Sequence, residues 1–224
     1  MNLEHHLRAQ ILDGRLPPGA RLPSERALAQ EHGMNRVTVR TALERLKTAG
    51  LLTAHVGRGT VVCDVQTQGG PDLLPDLLRD AEASGRLADI VEELFFVRQH
   101  LARAVLERIA RRRPDPAPFH RAVAAFAATD PTDLEALAIA DADVLATLLR
   151  LADSPVLQLC LNPVRRLLAE QPALRTAMYR RPSDNVAGWQ ALGGWLADPH
   201  PEDIDVVLSL IRTRDASTVA ALRA

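Results

Sequence analysis

Residues 22–62 read LPSERALAQEHGMNRVTVRTALERLKTAGLLTAHVGRGTVV, and this stretch decides the fold of the first part of the chain. Ser24 is a good N-cap, because its hydroxyl can accept a hydrogen bond from a free amide of the first helical turn. A helix is therefore predicted over about 25–31, and Gly33 ends it.

Asn35 is the N-cap of a second predicted helix, over about 36–48, and Gly50 lies just past its end. The apolar residues of this helix recur at helical spacing, which predicts one buried face. The residues predicted to point inward are Val37, Leu43 and Leu46.

Two short β-type runs follow, on either side of Gly57-Arg58-Gly59. Glycine permits the positive φ of a tight turn, so these runs predict a hairpin. Two helices joined by a turn and followed by a hairpin form a winged helix-turn-helix, which reads DNA with its second helix in the major groove. The hairpin tip can reach a minor groove.

Charge divides the chain into two parts. Residues 1–63 carry nine Lys and Arg against five Asp and Glu, whereas the rest carries 18 against 23. The basic excess lies in the part that is predicted to bind phosphates. We predict a DNA-binding domain at 1–63, a linker at 64–71 that contains Gly69-Gly70-Pro71, and an all-helical domain at 72–224 for effector binding and dimerisation.

Beyond the linker, apolar residues recur at helical period between Pro, Asp and Gly. The predicted helices cover about 72–83, 87–112, 115–128, 131–152, 155–168, 172–180, 184–197 and 201–213, with a short tail helix at 215–223. The predicted fold class is mostly α: a winged helix-turn-helix of three helices and a small β-hairpin wing, followed by an all-α helical bundle.

Two charged residues interrupt apolar stripes of these helices. In the helix predicted at 87–112, Arg98 lies one turn after Leu94, and on a later helix Asp141 lies four residues before Leu145. Both point inward, where a charge is costly unless it is paired or used. Either they pair with each other or lie at a dimer seam, or they line an effector pocket in which Arg98 binds a carboxylate or phosphate.

Other classes of site lack support in the sequence. Cys63 and Cys160 are far apart and not in a ligand spacing, so neither a disulfide framework nor a zinc finger is predicted. No signal peptide is visible, and no apolar run approaches the roughly 20 residues of a membrane span. We expect a cytoplasmic protein that does not bind membranes.

The residues from about Leu3 to Val62 resemble the GntR family of transcription regulators. That family carries LPSER, then a helix with V-x-R-x-x-V-R-x-A-L, then a G-x-G wing. The corresponding residues are Leu22-Pro23-Ser24-Glu25-Arg26, Met34-Asn35-Arg36-Val37-Thr38-Val39-Arg40-Thr41-Ala42-Leu43 and Gly57-Arg58-Gly59. Asn35 stands where Ser or Thr is commoner, and Thr41 where Glu is commoner. The helical half resembles the FadR/FCD-like branch, in its helix number, in the position of Arg98 and in DADVLATLLRLADSPVL.

The resemblance implies a set of DNA contacts. Arg36 and Arg40 are one turn apart at the start of the recognition helix and are expected to read guanines, while Arg26 and Thr38 bind phosphate. The full predicted set is Arg26, Arg36, Thr38, Arg40, His55, Gly57, Arg58 and Gly59.

The resemblance also raises the question of a metal. Many FCD-type domains bind a divalent ion through an Asp, a His four residues later and two further His. Only Asp141 matches, because the expected His is Leu145 and the sole later histidine, His200, lies between prolines in a predicted loop. We therefore predict no metal and no other cofactor.

The function that these features predict is a ligand-responsive, homodimeric regulator on double-stranded DNA with a two-fold operator. It is expected to be a repressor released by a small anionic effector, a carboxylate or an acyl-CoA, bound through Arg98 and Asp141. One alternative is a constitutive DNA-binding protein whose helical domain only dimerises. Another is an enzyme fused to a DNA-binding head, which would need a further polar cluster, so the prediction is that the protein is not an enzyme.

Overall fold

The computed structural model describes residues 2–55 and 59–224, with the side chains at 55, 163–166 and 168–170 left outside the description. Two compact units are present, Met1–Asp80 and Ala81–Ala224. The segment 64–71, predicted as a linker, contains the short helix α4 (Val65–Gln68) and the start of a 3-10 turn. The division between the units thus lies further along the chain than the predicted linker.

The first unit is a winged helix-turn-helix, as the sequence predicts. Its elements are α1 (Leu3–Leu12), α2 (Glu25–Glu31), α3 (Arg36–Thr48), β1 (Leu52–His55), β2 (Gly59–Val62), α4, a 3-10 turn (Pro71–Leu73) and the first part of α5 (Leu74–Ala83). Both predicted caps are present. The Ser24 hydroxyl accepts a hydrogen bond from the amide of Ala27 at 3.2 Å, and Asn35 Oδ1 accepts one from the amide of Thr38 at 2.7 Å.

The wing is an antiparallel pair in which Leu52 lies opposite Val62 and His55 opposite Gly59. The segment before α2 extends it, because the amide of Leu22 donates to the carbonyl of Thr60 at 2.9 Å. Strand β2 therefore has a hydrogen-bonded partner on each of its edges. Gly57 and Arg58, predicted at its tip, lie outside the described residues.

The core of this unit corrects one sequence-based assignment. Val37, predicted to point inward, is 75% exposed, whereas Val39 is fully buried. Helix α3 begins after its cap at Asn35, and residues three or four apart lie on the same face of the helix. The face that contains Val39 packs against the core, and Val37 lies on another face. The buried face consists of Val39, Ala42, Leu43 and Leu46, and it packs with Leu3, Leu7, Ile11, Leu28 and Leu51.

Gly50 ends α3 with a φ of +74°, and a Cβ at this position would collide with the backbone carbonyl of Gln68 in α4. We expect Gly50→Ala to lower the free energy of unfolding by about 2–4 kcal/mol, because left-handed strain adds to a backbone clash. Gly33 is the control, since its φ is +62° but no atom lies within 4 Å of an added Cβ. Gly33→Ala should cost only about 1–2 kcal/mol. Urea unfolding followed by circular dichroism measures both, and equal losses would rule out a contribution from Gln68.

The second unit consists of helices. They are α6 (Leu87–Arg112), α7 (Ala117–Ala127), α8 (Leu134–Ala152), α9 (Pro155–Glu170), α10 (Pro172–Met178), α11 (Pro182–Ala197) and α12 (Ile204–Arg223), with a 3-10 turn at Pro201–Asp203. The two helices predicted at 201–213 and 215–223 are a single helix, α12. The predicted break fell at Arg214 and Asp215. These charged residues pair with residues of other helices, and α12 continues through them without interruption.

Large apolar side chains fill the interior of this unit. Phe119 and Phe126 of α7 are fully buried, as are Leu106 and Ile109 of α6. Helices α6, α8, α9, α11 and α12 also surround an empty space, described below. Within the described parts of the chain, no helix combines the length and the apolar character that a membrane crossing needs.

Candidate functional site

The N-terminal half of α3 presents an exposed, basic face. Arg36, Thr38 and Arg40 are all exposed there, with Val37 between them. Arg26 is exposed on α2, the helix that precedes α3. The predicted helix-borne contacts therefore lie at the surface, and the opposite face of α3 is buried in the core.

Arg40 is held by a carboxylate of α2. Its Nη2 donates to Glu25 Oε2 at 2.9 Å and its Nε to the same oxygen at 3.2 Å. The hydrogen bond from Arg40 keeps the pKa of Glu25 below its usual value, with a smaller electrostatic contribution in the same direction. The pair uses Nε and Nη2 of the guanidinium, so Glu25 does not engage Nη1.

The other predicted contacts differ in how far the structure describes them. The Thr38 hydroxyl donates to Asn35 Oδ1 at 3.0 Å, so it supports the cap while remaining exposed. Gly59 begins β2 with a φ of +78°, as a tight turn requires. The side chain of His55 and the whole of Gly57 and Arg58 lie outside the described residues.

An ionic network ties α3 to its neighbours. Glu4 of α1 accepts hydrogen bonds from Arg45 of α3 at 3.2 Å and from Arg8 at 3.4 Å. Arg8 also donates to the buried carboxylate of Asp76 in α5 at 2.7 Å. The recognition helix is thereby anchored at its C-terminal half, away from the exposed basic face.

In the second unit, Arg98 and Asp141 both point inward as predicted, but they bind different partners. Arg98 forms an ion pair with Asp215 of α12, whose side chain is only 5% exposed. The other oxygen of Asp215 accepts a hydrogen bond from Gln99 Nε2 at 2.9 Å. The alternative in which Arg98 pairs with Asp141 is therefore wrong.

Asp141 accepts hydrogen bonds from three other helices or turns. Its Oδ2 accepts from the hydroxyl of Tyr179 at 2.9 Å and from Nη2 of Arg214 at 3.1 Å, and its Oδ1 accepts from the indole of Trp189. Burial raises the pKa of the Tyr179 hydroxyl far above its usual value, and the negative charge of Asp141 adds to the effect. The tyrosine therefore remains a donor at all physiological pH values.

We call Arg98, Asp141, Arg214 and Asp215 the charge cluster, and it adjoins a cavity. The volume of this cavity is about 70 Å³. Arg98, Arg214 and Trp189 line it, and the rest of the wall is almost entirely aliphatic. Asp141 does not line the cavity; it positions Trp189 and Arg214, which do.

Sequence reasoning missed Arg214 and Asp215. The apolar residues Val207 and Ile211 continue one turn further to Arg214, and Leu208 continues two turns further to Asp215. Extending the helical period through the charged residues would have found both. The predicted break at this point concealed them.

Histidines of this unit serve local structure. His120 Nε2 lies 3.1 Å from the carbonyl oxygen of Gly193, and His100 Nδ1 lies 2.8 Å from that of Phe96. His200 Nε2 lies 3.0 Å from a carboxylate oxygen of Asp198 near the surface. Leu145, at the position where the FCD pattern has a ligand, forms part of the apolar cavity wall. Among the described residues, no three His, Cys, Asp or Glu side chains are grouped so that they could hold a metal ion.

Comparisons with known proteins agree with this picture of the first unit. The family model described as bacterial regulatory proteins, gntR family, matches residues 1–62. The HTH-type transcriptional regulator Mce2R of Mycobacterium tuberculosis is 47% identical over 72 residues, 32% of this chain and 30% of that protein. The fatty acid metabolism regulator protein of Edwardsiella ictaluri is 30% identical over 164 residues, 73% of this chain and 66% of that protein. The chain thus matches under a third of the first relative's length and 66% of the second's.

A solved structure extends the likeness to the helical unit. Lar, which controls expression of the Listeria monocytogenes agr system, superimposes with a TM-score of 0.61 over 98% of this chain and 94% of its own. At 18% identity this similarity concerns the fold alone. The exposed basic helix, the wing and the family match concern the same residues: residues 1–62 form a helix-turn-helix domain of the kind described as bacterial regulatory proteins, gntR family.

Proposed function

We propose that this chain is a transcription regulator that binds a two-fold DNA operator as a homodimer and responds to a small molecule bound in the helical cavity. One observation carries the proposal. Helix α3 exposes Arg36 and Arg40 at its N-terminal half, the part of a recognition helix that reaches base edges.

The exposed face of α3 suits direct reading of base pairs. Arg36 and Arg40 are four residues apart and share one side of the helix, so both can bind guanine in the major groove. Val37 between them is 75% exposed and can contact a thymine methyl group. We assign phosphate contacts to Arg26 and Thr38, and backbone or minor-groove contacts to His55 and the wing residues Gly57, Arg58 and Gly59.

Two considerations support a homodimer. One copy of this small head contacts few phosphates, and two-fold symmetry doubles that number. The helical unit also exposes large apolar side chains, among them Phe96 at 62% and Val97 at 52% on α6. Such exposure is typical of a surface that another chain covers.

The cavity supports the proposed response. An effector that binds one arrangement of the helical unit more tightly than another shifts the population of the two, and this can change the affinity for DNA. We propose the repressor form of this response, in which the effector lowers affinity for the operator. A constitutive DNA-binding protein would show no such change.

Selection of bound duplexes from a random-sequence library tests the proposal. We expect enrichment of a palindromic site whose half-sites lie about one helical turn or a multiple of it apart. An Arg36→Ala/Arg40→Ala variant, in which both side chains are exposed and folding is therefore preserved, is the control and should enrich no site. Failure of the wild-type chain to enrich any sequence would contradict the proposed function.

A further inference from the structure

The charge cluster beside the cavity is balanced without a ligand. Arg98 pairs with Asp215, and Arg214 pairs with Asp141. Two formal positive charges thus meet two formal negative charges. The two aspartate side chains are 5% and 4% exposed and each arginine side chain is 17% exposed, so the charges are matched in the interior of the unit.

This balance decides what kind of molecule the cavity can hold at low cost. An anion that enters would lose its hydration and bring an unmatched negative charge to a cluster that is already neutral. It would compete with Asp215 or Asp141 for guanidiniums that these carboxylates already occupy. An uncharged ligand faces neither penalty.

The cavity wall adds a preference for an aliphatic body. Leu145, Leu148 and Leu149 of α8 and Val207 and Ile211 of α12 face the empty space. Burying apolar ligand surface against such a wall removes that surface from water, which is favourable. The bulk of the ligand is therefore expected to be hydrocarbon.

One polar group of the wall still lacks a partner. The Nε of Arg98 is buried and, among the described residues, has no hydrogen-bond acceptor. Buried donors are nearly always satisfied in native proteins, so this group calls for an acceptor. A single oxygen on the ligand would supply it while the ion pair with Asp215 stays in place.

We infer that the cavity takes an uncharged molecule with an aliphatic body and one hydrogen-bond acceptor, such as an amide, an ester or a ketone. This inference rests on the proposed ligand-responsive function and replaces the anionic effector expected from the sequence. In this arrangement, Nε of Arg98 donates a hydrogen bond to the ligand, and the positive charge of Arg98 neutralises Asp215.

Octanamide and octanoate are matched probes, because they share chain length and differ in charge. Titration of the full chain at neutral pH can be followed by tryptophan fluorescence, to which Trp189 in the cavity wall contributes. We expect octanamide to bind roughly tenfold more tightly than octanoate, or better, since only the acid brings an unmatched charge. Equal or tighter binding of octanoate would overturn the inference, as would binding of neither probe.

A variant that fills the cavity locates the binding. Gly188 of α11 lines the space, and a Cβ added to it would meet no atom within 4 Å. Gly188→Leu is expected to abolish octanamide binding, whereas Gly194→Leu, at an exposed glycine of the same helix with equally open surroundings, should retain it. Undiminished binding of octanamide by a folded Gly188→Leu chain would also overturn the inference. If this variant does not fold, the comparison of octanamide with octanoate on the wild-type chain still tests the inference.

The titrations contain no DNA, which separates the two proposals. A wild-type chain that prefers octanamide but enriches no duplex would contradict the regulatory function alone. A chain that selects an operator but prefers octanoate would contradict the uncharged ligand alone.

Discussion

Asp141→Ala is expected to lower the free energy of unfolding of the helical unit by about 3–5 kcal/mol, because it removes one member of a buried ion pair and leaves the other unmatched. Arg214 would keep its charge at 17% exposure, and the hydroxyl of Tyr179 and the indole of Trp189 would lose their acceptor. Both tryptophans of the chain lie in α11, so tryptophan fluorescence during urea unfolding reports on this unit.

An exposed ion pair of the same unit provides the control. Arg103 of α6 pairs with Asp205 of α12, but these side chains are 41% and 71% exposed. Asp205→Ala should therefore cost about 1 kcal/mol or less. A loss in Asp141→Ala no larger than in this control would show that Asp141 is not structurally important.

A double variant tests the cause of the loss. In Asp141→Ala/Arg214→Leu neither charge remains, so the unmatched guanidinium disappears together with its carboxylate. Replacing both ends of a buried pair with apolar groups is often close to neutral. We expect the double variant to be more stable than Asp141→Ala alone; further destabilisation would indicate that packing, and not charge, dominates at this site.

Arg40→Ala is expected to weaken binding to the selected operator by roughly five- to 150-fold for each half-site, and to relax base preference at one position of the half-site. The effect on a homodimer is larger because both half-sites lose the contact. Fluorescence anisotropy with operator and scrambled duplexes measures affinity and discrimination together. Unchanged discrimination would contradict the assignment of Arg40 to a base.

Glu25 and Arg45 give this experiment its two controls. Glu25→Ala removes the carboxylate that orients Arg40, so specific binding should fall, while binding to scrambled DNA should rise because a negative charge is lost. Arg45 lies further along α3 and pairs with Glu4, and Arg45→Ala should leave the ratio of specific to non-specific affinity unchanged. A tighter specific complex in Glu25→Ala would mean that Glu25 withholds Arg40 from DNA.

The sequence predicted the first unit well because its signals are local. The caps at Ser24 and Asn35 act within one helical turn, and both form as expected. Val37 was misassigned because an apolar residue at the start of a helix can either pack in the core or lie at the surface, where a partner molecule can contact it. Spacing alone does not distinguish the two.

In the helical unit, the sequence predicted that Arg98 and Asp141 point inward but not which residues they bind. Helical spacing correctly turned Arg98 and Asp141 inward, since spacing fixes the face of a helix on which a residue lies. The helix that packs against that face depends on tertiary structure, and the partner of Arg98 is 117 residues away. For the same reason, the electrical balance of the cluster could not be derived from the sequence.

The order of the charge cluster along the chain also constrains synthesis. Arg98 and Asp141 leave the ribosome well before α12, which carries Arg214 and Asp215 and follows them by 73 to 117 residues. Until α12 emerges, burial of the earlier pair would strand one positive and one negative charge, each without its native partner. We expect the nascent helical unit to close only once α12 is available, and we expect a chain interrupted before α12 to keep apolar surface exposed to proteases and chaperones.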